Sequence, residues 1–200
     1  MMKTVCLSGF TPFGGEKINP SYEAIKILES NQYHLLKLCI PTTFENSIES
    51  ITHLLKHHNV DLVLMVGQAA GRQGISLERF AVNLDDNELA DNDGVIKHES
   101  MIEIGGPTAY QTNLDLKPIL LELMQNGYPT KISNTAGTYV CNHLMYGVYH
   151  YIHTHHLHTK ALFVHVPYAH EQVQDKPDTF SMSVEEISAA LLVIIDAIFK

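Results

Sequence analysis

Apolar residues follow two alternating rhythms along this chain. Short apolar runs, or runs set between turn signals, occupy Thr4 to Ser8, Leu35 to Ile40, Leu62 to Val66, Lys131 to Ser133 and Ala161 to His165. That is the pattern of strands covered on both faces. Between them lie segments of helical spacing. Pro20-Ser21-Tyr22-Glu23 opens one with Ala24, Ile25, Ile27 and Leu28, and Thr43 to Lys56 carries Phe44, Ile48, Ile51 and Leu55. Leu116 to Gln125, Val140 to Tyr151 and Ser183 to Phe199 complete the set, the last with Ser183 and Glu186 in capping-box spacing. Strands alternating with helices predict an α/β fold with a largely parallel sheet. No repeat or linker interrupts the series, so one domain over residues 1–200 is expected. Ile75 to Pro107 is less regular: a possible strand precedes Asp85-Asp86-Asn87, Asp91-Asn92-Asp93-Gly94 and Gly105-Gly106-Pro107, which predict hairpins and irregular loops. In an open α/β sheet, ligands bind beyond the carboxyl ends of the strands.

Composition narrows the partners. A net charge of −9 with scattered Lys and Arg would repel a phosphate backbone, so nucleic acid is not an expected partner. The start, Met1-Met2-Lys3-Thr4-Val5-Cys6-Leu7, reaches Gly9 before a signal-peptide core could form and reads as a buried strand. Ile187 to Phe199 is the most apolar stretch, yet Ser188 and Asp196 interrupt it and it falls short of the roughly 18 residues of a membrane span. It is expected in a core or a subunit contact, with no membrane partner. Cys6, Cys39 and Cys141 are odd in number and without CxxC spacing, which fits a reducing cytoplasm. Cys6 and Cys39 lie in apolar strands and read as small hydrophobes.

Cys141 has different neighbours. Asn134-Thr135-Ala136-Gly137-Thr138-Tyr139-Val140-Cys141-Asn142 is a small-residue turn that delivers the cysteine to the first turn of a helix. Free N–H groups and the helix dipole there favour a thiolate and can cradle an oxyanion. Strand Ala161 to Val164 ends at His165, and Pro167 follows. Were the strands before Cys141 and at His165 parallel neighbours, both residues would emerge at one sheet edge as an activated cysteine–histidine pair. Taken singly, His165 reads more simply as a satisfied histidine at a strand end. The run Gly67 to Asn83 brings glycines that let backbone approach a ligand, and Glu78, which could orient an imidazole. Spacing alone favours a surface Glu78 paired with Arg79.

Gly67 to Asn83 and Ser133 to Asn142 closely resemble the glutamate and cysteine signatures of the pyroglutamyl peptidase I (pyrrolidone carboxyl peptidase) family. Ser8-Gly9-Phe10-Thr11-Pro12-Phe13-Gly14-Gly15, Asn19-Pro20-Ser21 and Phe163-Val164-His165-Val166-Pro167-Tyr168 resemble it too, so the likeness spans nearly the whole chain. The resemblance implies a three-layer α/β/α sandwich, usually a homotetramer, and a thiol protease that needs no metal or cofactor and removes N-terminal pyroglutamate from peptides. It carries the nucleophile onto Cys141, the base onto His165 and the third triad member onto Glu78. It also puts Phe10 and Phe13 around the pyroglutamyl ring, with Gln68 hydrogen-bonded to the lactam and Val140 nearby. From the residues alone, Phe10 and Phe13 read equally well as loop anchors of the core.

Two other readings compete. His150, His153, His155, His156 and His158 offer ligand spacings for a metal-dependent hydrolase, although the segment reads more simply as a helix end and solvated loop. A catalytically weak or inactive homologue that binds pyroglutamyl peptides is the other. Its support is one departure from the family pattern: Glu88 stands in Asp85-Asp86-Asn87-Glu88-Leu89-Ala90-Asp91-Asn92 where the family commonly has arginine. Glu88→Arg is expected to leave activity intact or raise it; a large fall in kcat/KM would show that this loop does not correspond to the family's.

Overall fold

The structure, a computed structural model, describes residues 2–200. Met1, the first residue of the expected strand segment and domain, lies outside them. In chain order the elements are β1 (Lys3–Phe10), α1 (Pro20–Ile27), β2 (Tyr33–Ile40), α2 (Ser47–His57), β3 (Leu62–Gln68), β4 (Ile75–Glu78), β5 (Phe80–Val82), β6 (Asp85–Asn87), β7 (Lys97–Ser100), β8 (Ala109–Gln111), α3 (Leu116–Gln125), β9 (Thr130–Ser133), α4 (Val140–Thr154), β10 (Lys160–Val166), β11 (Tyr168–Ala169), β12 (Ser181–Met182) and α5 (Val184–Phe199), with a short 3-10 turn at His170–Gln172. All five apolar runs are strands. Ser183 caps α5 with the reciprocal Glu186 contact expected of a capping box. One helix starts late: residues 43–46 form a turn, and the Phe44 N–H donates to Asp91 Oδ2 at 2.9 Å instead of entering α2.

The central sheet has the order β2-β1-β3-β10-β4-β9. β2, β1, β3 and β10 run parallel, whereas β4 is antiparallel to β10 and carries β9 parallel to itself. The strand before Cys141 is therefore not a parallel neighbour of the His165 strand, because β4 lies between them. The reason is chain length. Only residues 69–74 separate β3 from β4, too few for the crossover that a parallel return requires.

Period-2 alternation assigns side chains to two faces. On one, Leu62, Leu64, Val66, Ile75, Leu77, Leu162, Val164 and Val166 pack against α1, α3 and α5. On the other, Val63, Met65, Ala161 and Phe163 pack with α2 and α4. The result is the three-layer α/β/α sandwich with a mixed, largely parallel sheet. α5 buries Ile187, Leu191, Ile194, Ile195 and Ile198 in the first core, and no helix among the described residues is long and apolar enough to cross a membrane. Cys6 is buried as expected, but Cys39 is exposed because β2 is an edge strand. The Ile75 to Pro107 region does form short pairs, β5 with β8 and β6 with β7, while β4 joins the main sheet.

At Gly9, a Cβ would lie 2.6 Å from both Cα and N of Tyr22, so α1 seats directly on β1 backbone. Gly9→Ala is expected to cost about 1–3 kcal/mol by overpacking, lowering Tm by roughly 2–12 °C. Thermal unfolding checks this, and an unchanged Tm would mean that α1 can shift without loss.

Candidate active site

Three sheet positions converge on the α4 face. His165 in β10 pairs in register with Gly67 of β3 on one side and with Ser76 of β4 on the other. Alternation turns His165, Gly67 and Glu78 toward the same face as Phe163. Glu78 is fully buried, and its Oε1 accepts from His165 Nδ1 at 2.8 Å and from Arg72 at 3.2 Å. A carboxylate oxygen accepts only, so Nδ1 carries the imidazole proton and Nε2 keeps its lone pair. Arg79, the partner that spacing favoured, instead donates to Asn134 Oδ1 at 3.0 Å.

Cys141 reaches this face from β9 by the turn 134–139, where Gly137 has φ 82°. Its sulfur fills the space left by the missing side chain of Gly67: a Cβ there would meet Cys141 Sγ and the Phe163 ring, each at 2.9 Å. Since His165 is the cross-strand partner of Gly67, thiol and imidazole are neighbours on one surface. Cys141 is the second residue of α4, where backbone N–H groups have no intrahelical acceptor. The thiol is nevertheless pushed up to about 12, first by burial and then by the Glu78 charge, with the Arg72 cation opposing. Burial and the Glu78 charge thus oppose the thiolate that the helix start favours.

The residues after Cys141 bolt the helix start in place. Asn142 accepts from the Val82 N–H and donates to the carbonyls of Val82 and Leu84, all between 2.9 and 3.0 Å. Asp85, also fully buried, takes His143 Nδ1 at 2.8 Å and Lys97 Nζ at 3.0 Å on one oxygen. Sequence reasoning missed Asn142, His143 and Asp85 as parts of the site; only their adjacency to the cysteine and to the Asp-Asp pair could have flagged them. Arg72 also reaches Ser133 Oγ and the Thr135 carbonyl, each at 3.4 Å, joining Glu78 to the turn that leads to Cys141.

Around the sulfur, Phe10 is buried against Phe163 with centroids 6.4 Å apart, and Phe13 is half-buried against Tyr139 at 6.2 Å. Val140 is buried beside them. Gln68 differs: its side chain points to the opposite face, where its Oε1 accepts from Gln172 Nε2 at 3.0 Å. Its backbone is the part turned to the site. The Ala69 N–H donates to Val166, so alternation aims the N–H and C=O of Gln68 toward β1, past the last β1–β3 pair at Ser8 and Met65. Glu88 is exposed, in a loop tied by the Asp86 N–H to the Thr138 carbonyl at 3.1 Å and by the Tyr139 hydroxyl to the Ala90 carbonyl at 2.9 Å. The histidine-rich stretch has local partners: His150 bonds the Tyr110 hydroxyl at 2.9 Å and His155 the Tyr151 carbonyl at 3.0 Å.

Comparison with known proteins gives a consistent picture. The pyroglutamyl peptidase family model matches residues 3–200. The pyrrolidone-carboxylate peptidase of Clostridium perfringens strain ATCC 13124 is 44% identical over 97% of this chain and 92% of its own length. The crystal structure of pyroglutamyl peptidase I from Bacillus amyloliquefaciens superposes with a TM-score of 0.94 at 40% identity, covering 99% of this chain and 95% of that one. Pyrrolidone carboxyl peptidase from Fervidobacterium islandicum AW-1 gives 0.93 at 37% identity, covering 97% of each chain.

Burial that opposes the thiolate has a spectroscopic consequence. The thiolate ultraviolet absorbance that distinguishes the wild type from Cys141→Ser is expected to develop only well above pH ~8.5, the ordinary thiol value. A difference already present at neutral pH would establish a standing thiolate–imidazolium pair.

Proposed function

The chain belongs to the pyroglutamyl peptidase family, and from that premise we propose that it is a cysteine exopeptidase that hydrolyses the bond after an N-terminal pyroglutamyl residue, with Cys141, His165 and Glu78 as its triad. The observation that carries the triad is the 2.8 Å bond from His165 to the buried Glu78, on the same face as the Cys141 sulfur. His165 Nε2 takes the thiol proton as the sulfur attacks the carbonyl carbon between pyroglutamate and the next residue. Because burial disfavours a free thiolate, proton removal and attack are coupled. The unpaired N–H groups of the first turn of α4 stabilise the oxyanion. His165 then gives its proton to the leaving amine, and water activated by the same histidine releases pyroglutamate from the thioester.

Glu78 stabilises the imidazolium and fixes the tautomer. Arg72 offsets the charge of a carboxylate that has no solvent. Phe10, Phe13 and Val140 supply apolar contact for a ring with no ammonium group to neutralise. Gln68 reads the lactam through its backbone. A lactam N–H and C=O lie cis on one edge, and a strand residue also offers its C=O and N–H on one side, so the two edges match as a reciprocal pair. Proline has the ring but no lactam carbonyl: it would leave the Gln68 N–H unpaired and bring a charged ring nitrogen against the apolar walls.

The whole chain works as one such domain, in the cytoplasm, with no cofactor. A homo-oligomer, tetrameric by analogy, is supported by the apolar side chains that the 85–107 excursion exposes: Leu89, Val95, Ile96, Met101 and Ile104. Two substrates and one variant test the reading. Wild type is expected to release a chromophore from a pyroglutamyl amide and not from the prolyl amide, and Cys141→Ser to lose at least about 10³-fold in kcat. Equal cleavage of the prolyl amide would refute the lactam contact. A folded, reduced wild type that binds pyroglutamyl peptide without turnover would instead favour the binding-only reading.

A further inference from the structure

Behind the pocket a second amide, which the triad chemistry does not use, joins two of its walls. Gln172 follows β11 and is 6% exposed, with its polar atoms all engaged. Its Oε1 faces the Ala169 N–H at 3.0 Å, and a backbone N–H only donates, which fixes the amide's direction. The other end is therefore the NH₂. It lies 3.0 Å from Gln68 Oε1, 3.1 Å from Glu16 Oε2 and 3.3 Å from the Ile18 carbonyl. Two hydrogens are shared among three acceptors.

These three acceptors belong to the two parts of the pocket that touch the ring. Gln68 ends β3 and presents the peptide that faces the lactam; Glu16 and Ile18 end the loop that carries Phe13. The front of that loop is held independently, by Asn19 and Thr42 on the Thr11 carbonyl at 3.1 and 2.8 Å and by Asn92 on the Pro12 carbonyl at 2.9 Å. Among the described residues, side-chain hydrogen bonds from the body of the protein to residues 14–18 come from Gln172 and Lys176 alone, Lys176 Nζ meeting Glu16 Oε1 at 2.7 Å. Gly14 and Gly15, both with positive φ, give this half of the loop little stiffness of its own. Glu16 is held below the ordinary carboxylate range, chiefly by Lys176, so it presents a charged acceptor to Gln172 at neutral pH.

We propose that Gln172 is a positioning residue for pyroglutamyl specificity, one amide that locks the Gln68 peptide and the Phe13 loop at a fixed separation around the lactam ring. It touches neither substrate nor the reacting atoms. Its effect is therefore on ring recognition and not on the reactivity of Cys141, which depends on His165 and Glu78 across the sheet. The proposal rests on the peptidase reading above.

Three variants test it, each measured for KM and kcat on a pyroglutamyl amide, for Kd of free pyroglutamate by calorimetry, and for the rate of Cys141 alkylation by iodoacetamide. Gln172→Ala is expected to raise KM and Kd about tenfold or more, with kcat and the alkylation rate within about threefold of wild type. Gln172→Glu keeps the acceptor for Ala169 but sets a carboxylate against Glu16, and should bind at least as poorly. Adding Glu16→Gln to it restores a donor between the two positions and lets Gln68 flip to donate, so the double variant should recover most of the lost affinity. A structural role alone predicts no such rescue. KM and Kd changed less than about twofold by Gln172→Ala, a parallel fall in alkylation rate, or no recovery in the double variant would each overturn the proposal. A wild type that binds pyroglutamate without turnover would overturn the peptidase reading while leaving this one to be decided by Kd. If wild type does neither, both fall.

Discussion

A carboxylate with no solvent contact survives in a sheet only if its charge is matched where it stands, because desolvation costs several kcal/mol. Glu78 meets that condition through one oxygen, shared by His165 and Arg72. The rest of the site follows from this arrangement. Arg72 lies in the connection after β3, His165 ends β10, and Arg72 also grips the turn after β9. One buried charge thus ties together three stretches distant in sequence: residues 72–78, the turn after β9 and the end of β10. The same contact fixes the imidazole tautomer that leaves Nε2 free, while Glu78 Oε2 has no hydrogen-bond partner among the described residues.

The sheet needs its antiparallel intrusion for this to work. Were β4 a parallel strand, its carboxyl end would lie beside the carboxyl end of β10, and Glu78 would stand level with or beyond His165. Running the other way, β4 places Ser76 beside His165 and Glu78 beside Phe163, one pleat below on the same face. From there a glutamate side chain reaches up to Nδ1 from inside the protein, which is why it is fully buried. Gly67 completes the geometry from the other side. Any side chain there would occupy the volume of the sulfur.

Much of this was legible in the chain. Five apolar runs, the Leu116 to Gln125 periodicity and the Ser183–Glu186 cap follow from local physics, and each appears at its place. What could not be read depends on non-local geometry. The position of β4 between β9 and β10 is set by the shortness of residues 69–74 acting against a sheet not yet known. Glu78 chose Arg72, six residues back across a turn, over the adjacent Arg79, because neighbours in a strand point to opposite faces. Cys39 sits in a run as apolar as that of Cys6, and only the strand order tells that β2 is an edge. At Cys141 the helix start, legible in the chain, favours a thiolate, while burial and the Glu78 charge, which oppose it, depend on the folded sheet.

The same balance bears on Glu88, which is exposed. An exposed carboxylate interacts with a buried sulfur through solvent and is screened over about 8–10 Å. Arg72 reaches the thiol from within the low-dielectric side, and its effect on Cys141 is felt directly. The loop itself does not need the charge to hold its shape, since Thr138 and Tyr139 anchor it by backbone bonds that any side chain at 88 would leave intact. Loop position and the His165–Glu78 contact therefore stand without a cation at residue 88.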